Sequence, residues 1–111
     1  MTFENEATAK LNRYITGTDH VFASMEVSYP TDMLLKKRFE EALALSRQYL
    51  EDSKYYLGRK DLVTSLVCIA YCEGIIDACR KLGWLKYRWE DEPDDASDGK
   101  PLSLGDGRDE R

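Results

Sequence analysis

The sequence contains few of the residues on which metal sites and most catalytic sites depend. Its 111 residues include one histidine, three cysteines, seven glycines and three prolines. It has no Glu-x-x-His pair, no Cys-x-x-Cys pair, no glycine-rich phosphate loop and no nucleophile elbow. A di-metal helical bundle needs carboxylates and histidines on facing helices, and a thiolate zinc site needs further ligands. We therefore expect no cofactor, no metal site and no enzymatic activity.

The scarcity of glycine and proline also bears on the fold class. Sandwiches and barrels need many turns, and turns use these residues, so an all-α fold is favoured. A chain of this length, with 42% hydrophobic and 33% charged residues, has the composition of one globular domain. The first residues, "MTFENEATAK", lack the apolar run of a signal peptide, and no uncharged apolar run of about 18 residues follows. With an odd number of cysteines, this predicts a cytoplasmic protein that has free thiols and no membrane span.

Charge is distributed unevenly along the chain. Residues 90–111 carry nine acidic and three basic side chains, a net −6, whereas residues 1–89 carry 12 acidic and 13 basic side chains, a net +1. A domain close to neutrality has little electrostatic attraction for nucleic acid, so DNA binding is not expected and RNA binding is expected to be weak at most. We expect a folded domain over residues 1–89 and an acidic, disordered tail over residues 90–111.

Apolar periodicity predicts an antiparallel, up-and-down three-helix bundle. Apolar residues recur at three- and four-residue steps in three segments, which predict helices over residues 3–27, 32–57 and 62–82. The third segment is apolar nearly all round until Glu73. Such a helix is typically the central, most buried element of a bundle.

Local signals mark where the second and third helices begin and end. Thr31 or Asp32 can cap the start of the second helix, and Asp61 is well placed to cap the third. Gly58 is expected to end the second helix in the left-handed conformation, and Gly83 to end the third. The connection "GRKD" is short, so the two helices should be antiparallel neighbours.

An aromatic segment, "WLKYRW", follows the third helix. Its apolar and basic residues partly alternate, which predicts a short extended stretch. The favoured interpretation is a hydrophobic plug laid against the bundle, because buried aromatic rings dominate core energetics. The alternative is a surface for a protein partner formed by Trp84, Tyr87 and Trp89.

Charged residues lie in the C-terminal half of the third helix. Glu73 and Asp77 lie one helical turn apart, and Arg80 belongs to the same sector of the helix. The favoured interpretation is a polar network in which tyrosines or arginines of the other helices, such as Tyr14, Arg13, Tyr49 or Arg47, donate to the carboxylates. The alternative is a ligand pocket at Glu73, Asp77 and Arg80, with tyrosines such as Tyr71 as walls.

Two further patterns have structural interpretations. Cys68, Cys72 and Cys79 form one stripe of the third helix, and small buried thiols that let helices approach closely explain it better than a metal site. The stretch from Arg13 to His20 resembles the loose Arg-x(4–6)-His motif of helical RNase-like domains called HEPN. A motif this short agrees easily by chance.

The stretch "YLEDSKYYLGRKDLVTSLVCIAYCEGIIDACRKLGW" resembles an archaeal family classified as domain of unknown function 357. The resemblance covers about residues 49–84 and rests on Tyr55, Tyr56, Gly58, Asp61, Tyr71, Gly74, Ile75, Ile76, Asp77, Ala78, Leu82 and Gly83. Cys72 stands where alanine is more usual in the family. The resemblance implies an antiparallel three-helix bundle and implies no activity.

Together these observations lead to two main hypotheses. The first is a non-enzymatic interaction or scaffolding module that binds a protein partner or associates with itself, because the chain has more aromatic and apolar surface than three helices bury. The second is a small-molecule or nucleotide-sensing domain with its pocket at Glu73, Asp77 and Arg80. RNA association through dispersed basic residues is a weaker alternative.

Overall fold

The computed structural model describes residues 2–89, and within them it confirms the all-α, three-helix bundle. The helices are α1 (Phe3–Ser24), α2 (Met33–Gly58) and α3 (Leu62–Lys81). Two short strands, β1 (Glu26–Val27) and β2 (Leu85–Lys86), form an antiparallel ladder. The predicted acidic tail over 90–111 lies outside the described residues.

All three helices begin at a side-chain cap. Thr2 Oγ1 accepts from the Asn5 amide at 3.1 Å, which begins α1. Asp32 Oδ1 accepts from the amide of the third helical residue of α2 at 2.9 Å, and Asp61 Oδ1 does the same for α3 at 3.2 Å. Each bond satisfies an amide that the first helical turn leaves unpaired, so the capping residues fix where α2 and α3 begin.

The predicted end of α2 at Gly58 is wrong in detail. Gly58 is the last helical residue, and Lys60 takes the left-handed conformation at φ 63°. The amide of Lys60 bonds to the Leu57 carbonyl at 3.0 Å and that of Asp61 to the Tyr56 carbonyl at 2.9 Å. These are the two bonds of a Schellman motif, which requires a left-handed residue two positions beyond Gly58.

The end of α3 shows the same motif with the predicted residue. Gly83 has φ +88°, its amide bonds to the Arg80 carbonyl, and the Trp84 amide bonds to the Cys79 carbonyl, each at 3.0 Å. Glycine has no Cβ to clash in this conformation. The chain therefore reverses at Gly83 and sends the aromatic segment back along the bundle.

The first helix is shorter than predicted. It ends at Ser24 rather than continuing to Val27, because Glu26 and Val27 pair with Lys86 and Leu85. The Ser28 amide extends this ladder by donating to the Trp84 carbonyl at 2.8 Å. A strand partner about 59 residues away in sequence, brought close by Gly83, overrides the local helical pattern.

The core lies on one side of α3. The α2–α3 contact is close where Ser53 Oγ donates to the Ser65 carbonyl at 2.9 Å and Ser65 Oγ donates to the Ser53 carbonyl at 2.8 Å. The buried apolar residues form two clusters. One cluster contains the buried residues Leu11, Ile15, Leu50, Ile69 and Cys72; the other contains Val21, Phe39, Ile76, Cys79, Leu85, Tyr87 and Trp89.

Helix α3 has unusual exposure for so apolar a segment. By length and composition alone it could cross a membrane, although a core helix of a soluble protein meets the same criterion. Only 33% of that apolar window is buried in the bundle. The expectation that α3 is the most buried element therefore holds for one of its sides, because two neighbouring helices cannot enclose a third.

Candidate functional site

The carboxylate of Asp77 fastens the aromatic segment onto α3. The hydroxyl of Tyr87 donates to Asp77 Oδ1 at 2.6 Å, and Nε1 of Trp89 donates to the same oxygen at 3.0 Å. Arg80 Nη1 donates to the Tyr87 carbonyl at 3.0 Å, and the guanidinium lies 4.7 Å from the centre of the Tyr87 ring. Hydrogen bonds to a charged acceptor are the stronger kind, so this network holds the segment firmly.

The aromatic rings of this segment point into the bundle. Tyr87 and Trp89 retain 5% and 6% exposure and meet edge to face at 5.4 Å between ring centres. Trp84 is half-buried and packs against Phe39 at 5.4 Å. The partner-surface interpretation of Tyr87 and Trp89 does not hold in this fold, because their rings fill the core as the plug interpretation describes.

Glu73 lies in a different place from Asp77. It is 8% exposed, and the Thr18 hydroxyl of α1 shares its proton between the Tyr14 carbonyl at 2.8 Å and Glu73 Oε2 at 3.3 Å. Two of the predicted donors have aromatic contacts: Arg47 lies 4.7 Å from the centre of the Phe22 ring, and Tyr49 stacks on Tyr71 at 5.2 Å. Glu73 thus faces α1, whereas Asp77 faces the aromatic segment, and the two carboxylates serve separate packing interfaces.

The arrangement of these residues is that of a polar network. Between residues 2 and 89, no buried side-chain nitrogen or oxygen lacks a hydrogen-bond partner. Over the same residues, no group of three or more His, Cys, Asp or Glu side chains is placed to hold a metal ion. The carboxylates therefore have structural partners on the neighbouring elements, as charges within a bundle require.

The three cysteines lie on the buried side of α3. All are free thiols, and burial raises the pKa of each, that of Cys72 to about 12. The thiolate is the form that attacks electrophiles and binds metals. At neutral pH these thiols are protonated, in keeping with the packing role predicted for them.

The outward side of α3 was not anticipated from the sequence. Val63, Leu66, Val67 and Tyr71 are exposed by 75%, 48%, 50% and 58% of their surface. Between and after them come three exposed small residues one turn apart: Ala70, Gly74 and Ala78. We call these seven residues the outer face of α3. They carry no charge, so an apolar strip more than four turns long faces solvent.

Tyrosine stacking extends this strip onto α2. The Tyr71 ring lies nearly parallel to that of Tyr49, at 22° and 5.2 Å. Leu45 lies one helical turn before Tyr49 on the same side of α2 and is 49% exposed. The sequence contained a signal for this surface: a helix apolar all round in a bundle of three must leave one apolar side open.

Comparison with family models identifies the family. The model described as "Protein of unknown function (DUF357)" matches residues 13–85. The chain belongs to the DUF357 family. The match confirms the resemblance found over residues 49–84 and extends it to the rest of α2 and the second half of α1. No curated protein and no solved structure matches the chain.

The DUF357 match divides the site into two parts. It includes all of α3, and with it Glu73, Asp77 and the outer face. It ends at Leu85, before Tyr87 and Trp89, which donate to Asp77. The family description assigns no activity.

Proposed function

We propose that this DUF357 domain is a non-enzymatic protein-interaction module that binds its partner along the outer face of α3. The observation that supports the proposal is the exposure of Val63, Leu66 and Val67, which form an uninterrupted apolar surface on the most apolar helix of the chain. Monomeric soluble proteins seldom expose contiguous apolar patches of this kind unless the patch serves an interaction.

The energetics of the surface favour binding. Full burial of a valine or leucine side chain is worth about 1.5–3 kcal/mol relative to exposure, or about 25 cal/mol for each Å² of apolar surface. In the monomer, Val63 and Val67 realise half of that gain or less, because 75% and 50% of their surface remains in water. A partner that covers them would recover the remainder.

The composition of the outer face favours a helix as the binding element. Ala70, Gly74 and Ala78 have little or no side chain, so a second helix can approach the backbone of α3 closely. A helix that lies on a lipid surface instead presents bulky leucine, phenylalanine or tryptophan with many basic residues beside them. The outer face contains no phenylalanine or tryptophan, and the basic residues of α3 lie only in its last turn.

The other two functions have less support. In the sensing hypothesis, Asp77 would contact a ligand, yet its Oδ1 already accepts from Tyr87 and Trp89 within the domain. In the RNA hypothesis, basic side chains would line the interaction surface, yet the seven residues of the outer face are uncharged. The exposed apolar surface therefore favours the interaction module over these two functions.

Site-specific photocrosslinking in the native host tests this proposal. A photoreactive phenylalanine analogue at Val67 should form covalent adducts with another protein chain. The same analogue at Gln48, an exposed position of α2, should not. Absence of adducts at Val67, or equal adducts at both positions, would contradict an interaction through the outer face.

A further inference from the structure

We infer that the occupant of the outer face is a second copy of this chain, with the two α3 helices packed antiparallel about a twofold axis beside Ala70 and Tyr71. The inference rests on the proposed function, since it names the partner for the same surface. Two features support it: the order of large and small side chains along α3, and the adjoining apolar residues of α2.

The outer face is self-complementary in size. Its N-terminal half carries the large residues Val63, Leu66 and Val67, and its C-terminal half carries Gly74 and Ala78. A twofold interface is isologous, so if one residue contacts a second, the second contacts the first in return. Antiparallel pairing in this register places Val67 against Gly74 of the partner subunit and Val63 against Ala78 of the partner subunit.

The local geometry leaves room for that contact. A Cβ added at Gly74 would meet no other heavy atom within 4 Å, so the surface above this residue is open. Both copies of Val67 would fill such an opening, once on each side of the axis. A parallel arrangement would instead stack Val67 on Val67 and leave Gly74 opposite Gly74, with a gap between the helices.

The interface needs more than one helix face to be stable. A specific dimer buries about 800 Å² on each partner, whereas α3 is a single cylinder about 30 Å long. Leu45 of α2 and the stacked pair Tyr49 and Tyr71 continue the apolar surface beside α3. These tyrosines supply the amphipathic rings that interfaces favour.

Cysteine crosslinking tests the partner and the orientation together. Residues 63 and 78 lie about 22 Å apart on one helix, so a short bismaleimide cannot join them within a chain. In the antiparallel dimer they face each other across the interface. The double variant Val63→Cys, Ala78→Cys should therefore form covalent dimers with this reagent. Val63→Cys alone and the control Gln48→Cys should stay monomeric on a denaturing gel.

Sedimentation of the purified full chain supplies an independent readout. The unmodified protein should form dimers as its concentration rises. Val67→Glu should raise the dimer dissociation constant on the order of 100-fold or more, since a charge replaces an apolar contact twice in a symmetric interface. Its helical circular dichroism should match the unmodified chain, because Val67 is half exposed in the monomer.

The contrary outcomes separate this inference from the proposed function. Crosslinking of Val63→Cys alone would overturn the antiparallel orientation. A protein that stays monomeric at its highest soluble concentration, while the photoreactive group at position 67 captures a different protein, would overturn self-association and leave the interaction module standing. A monomer that forms no adducts and floats with anionic lipid vesicles would overturn both.

Discussion

Both sides of α3 are largely apolar, unlike those of a typical surface helix. The side packed against α1 and α2 carries the ionisable residues Cys72 and Glu73, both buried. The side facing water carries valines, leucine, tyrosine and small residues without charge. In an amphipathic surface helix the polar residues face water and the apolar residues face the core. The inner side of α3 builds the monomer, and the outer face is apolar without contributing to the core.

This difference separates the residues that stabilise the fold from those that serve binding. Inner polar groups are stable because neighbours satisfy them: Thr18 contacts Glu73, and Tyr87 and Trp89 contact Asp77. Outer apolar side chains keep about half or more of their surface exposed, so removing them takes little from the stability of the monomer. Mutations on the two sides of one helix should therefore have effects of different kinds.

The largest contrast is expected between Ile76→Ala on the inner side and Val63→Ala on the outer face. Ile76 has no exposed surface and belongs to the larger apolar cluster, so its truncation leaves a cavity and should lower the free energy of unfolding by about 2–5 kcal/mol. Val63 is 75% exposed, and its truncation should change the monomer by about 0.5 kcal/mol or less. Urea denaturation, at a protein concentration too low for dimers to form, measures the free energy of unfolding of both variants.

A second result of the same experiment concerns association. Val63→Ala should raise the dimer dissociation constant and leave the stability of the monomer unchanged. Ile76→Ala should lower the stability of the monomer and leave dimer affinity unchanged as long as the domain remains folded. If the two variants destabilise the monomer equally, the outer face is not the open surface described here, and the separation of the two sides fails.

Most of the fold follows from local signals in the sequence. Asp32 and Asp61 cap helices through bonds to amides three residues later, and Gly83 ends α3 because it adopts a positive φ. Such effects depend on a few neighbouring residues, so they can be predicted without knowledge of the tertiary structure. The Schellman motif at the end of α2 differs from expectation, because its left-handed residue is Lys60 and not a glycine. Lysine reaches the left-handed region only at a cost of about 1–2 kcal/mol.

The details of the site depend on long-range packing and were not predictable in the same way. Helical spacing correctly placed Glu73 and Asp77 one turn apart, but their donors, Thr18 and Tyr87, come from α1 and from the segment after Gly83. The path of that segment depends on the β1–β2 pairing, which no local pattern indicates. The open side of α3 likewise depends on how many helices surround it.

A smaller contrast is expected between two tyrosines that each lose a hydroxyl. Tyr87→Phe removes the donor at 2.6 Å from Asp77 Oδ1 and should lower the free energy of unfolding by about 1.5–3 kcal/mol, the range for hydrogen bonds to charged groups. Tyr71→Phe alters a ring that is 58% exposed on the outer face and should change stability by about 0.5 kcal/mol or less. Thermal denaturation of both variants would show whether the Asp77 network stabilises the domain as its geometry indicates.

The smallest effect concerns Cys72 on the inner side and appears at alkaline pH. Burial raises the pKa of this thiol to about 12 in the folded chain, against an unfolded value of about 8.5. Between these values the unfolded chain releases the proton and the folded chain keeps it, so the free energy of unfolding should fall by up to about 1.4 kcal/mol for each pH unit above 9.

The matched variant for this prediction is Cys72→Ala, which lacks the thiol. Burial also raises the pKa of Cys68 and Cys79, and hydrogen bonding to Asp19 raises that of Lys54. These groups lower stability at high pH in both proteins, so the informative quantity is the difference in slope. A shallower fall for Cys72→Ala in denaturation from pH 8 to pH 10 would assign the excess to Cys72. Equal slopes would mean that the inner side of α3 opens to water more readily than its closed packing indicates.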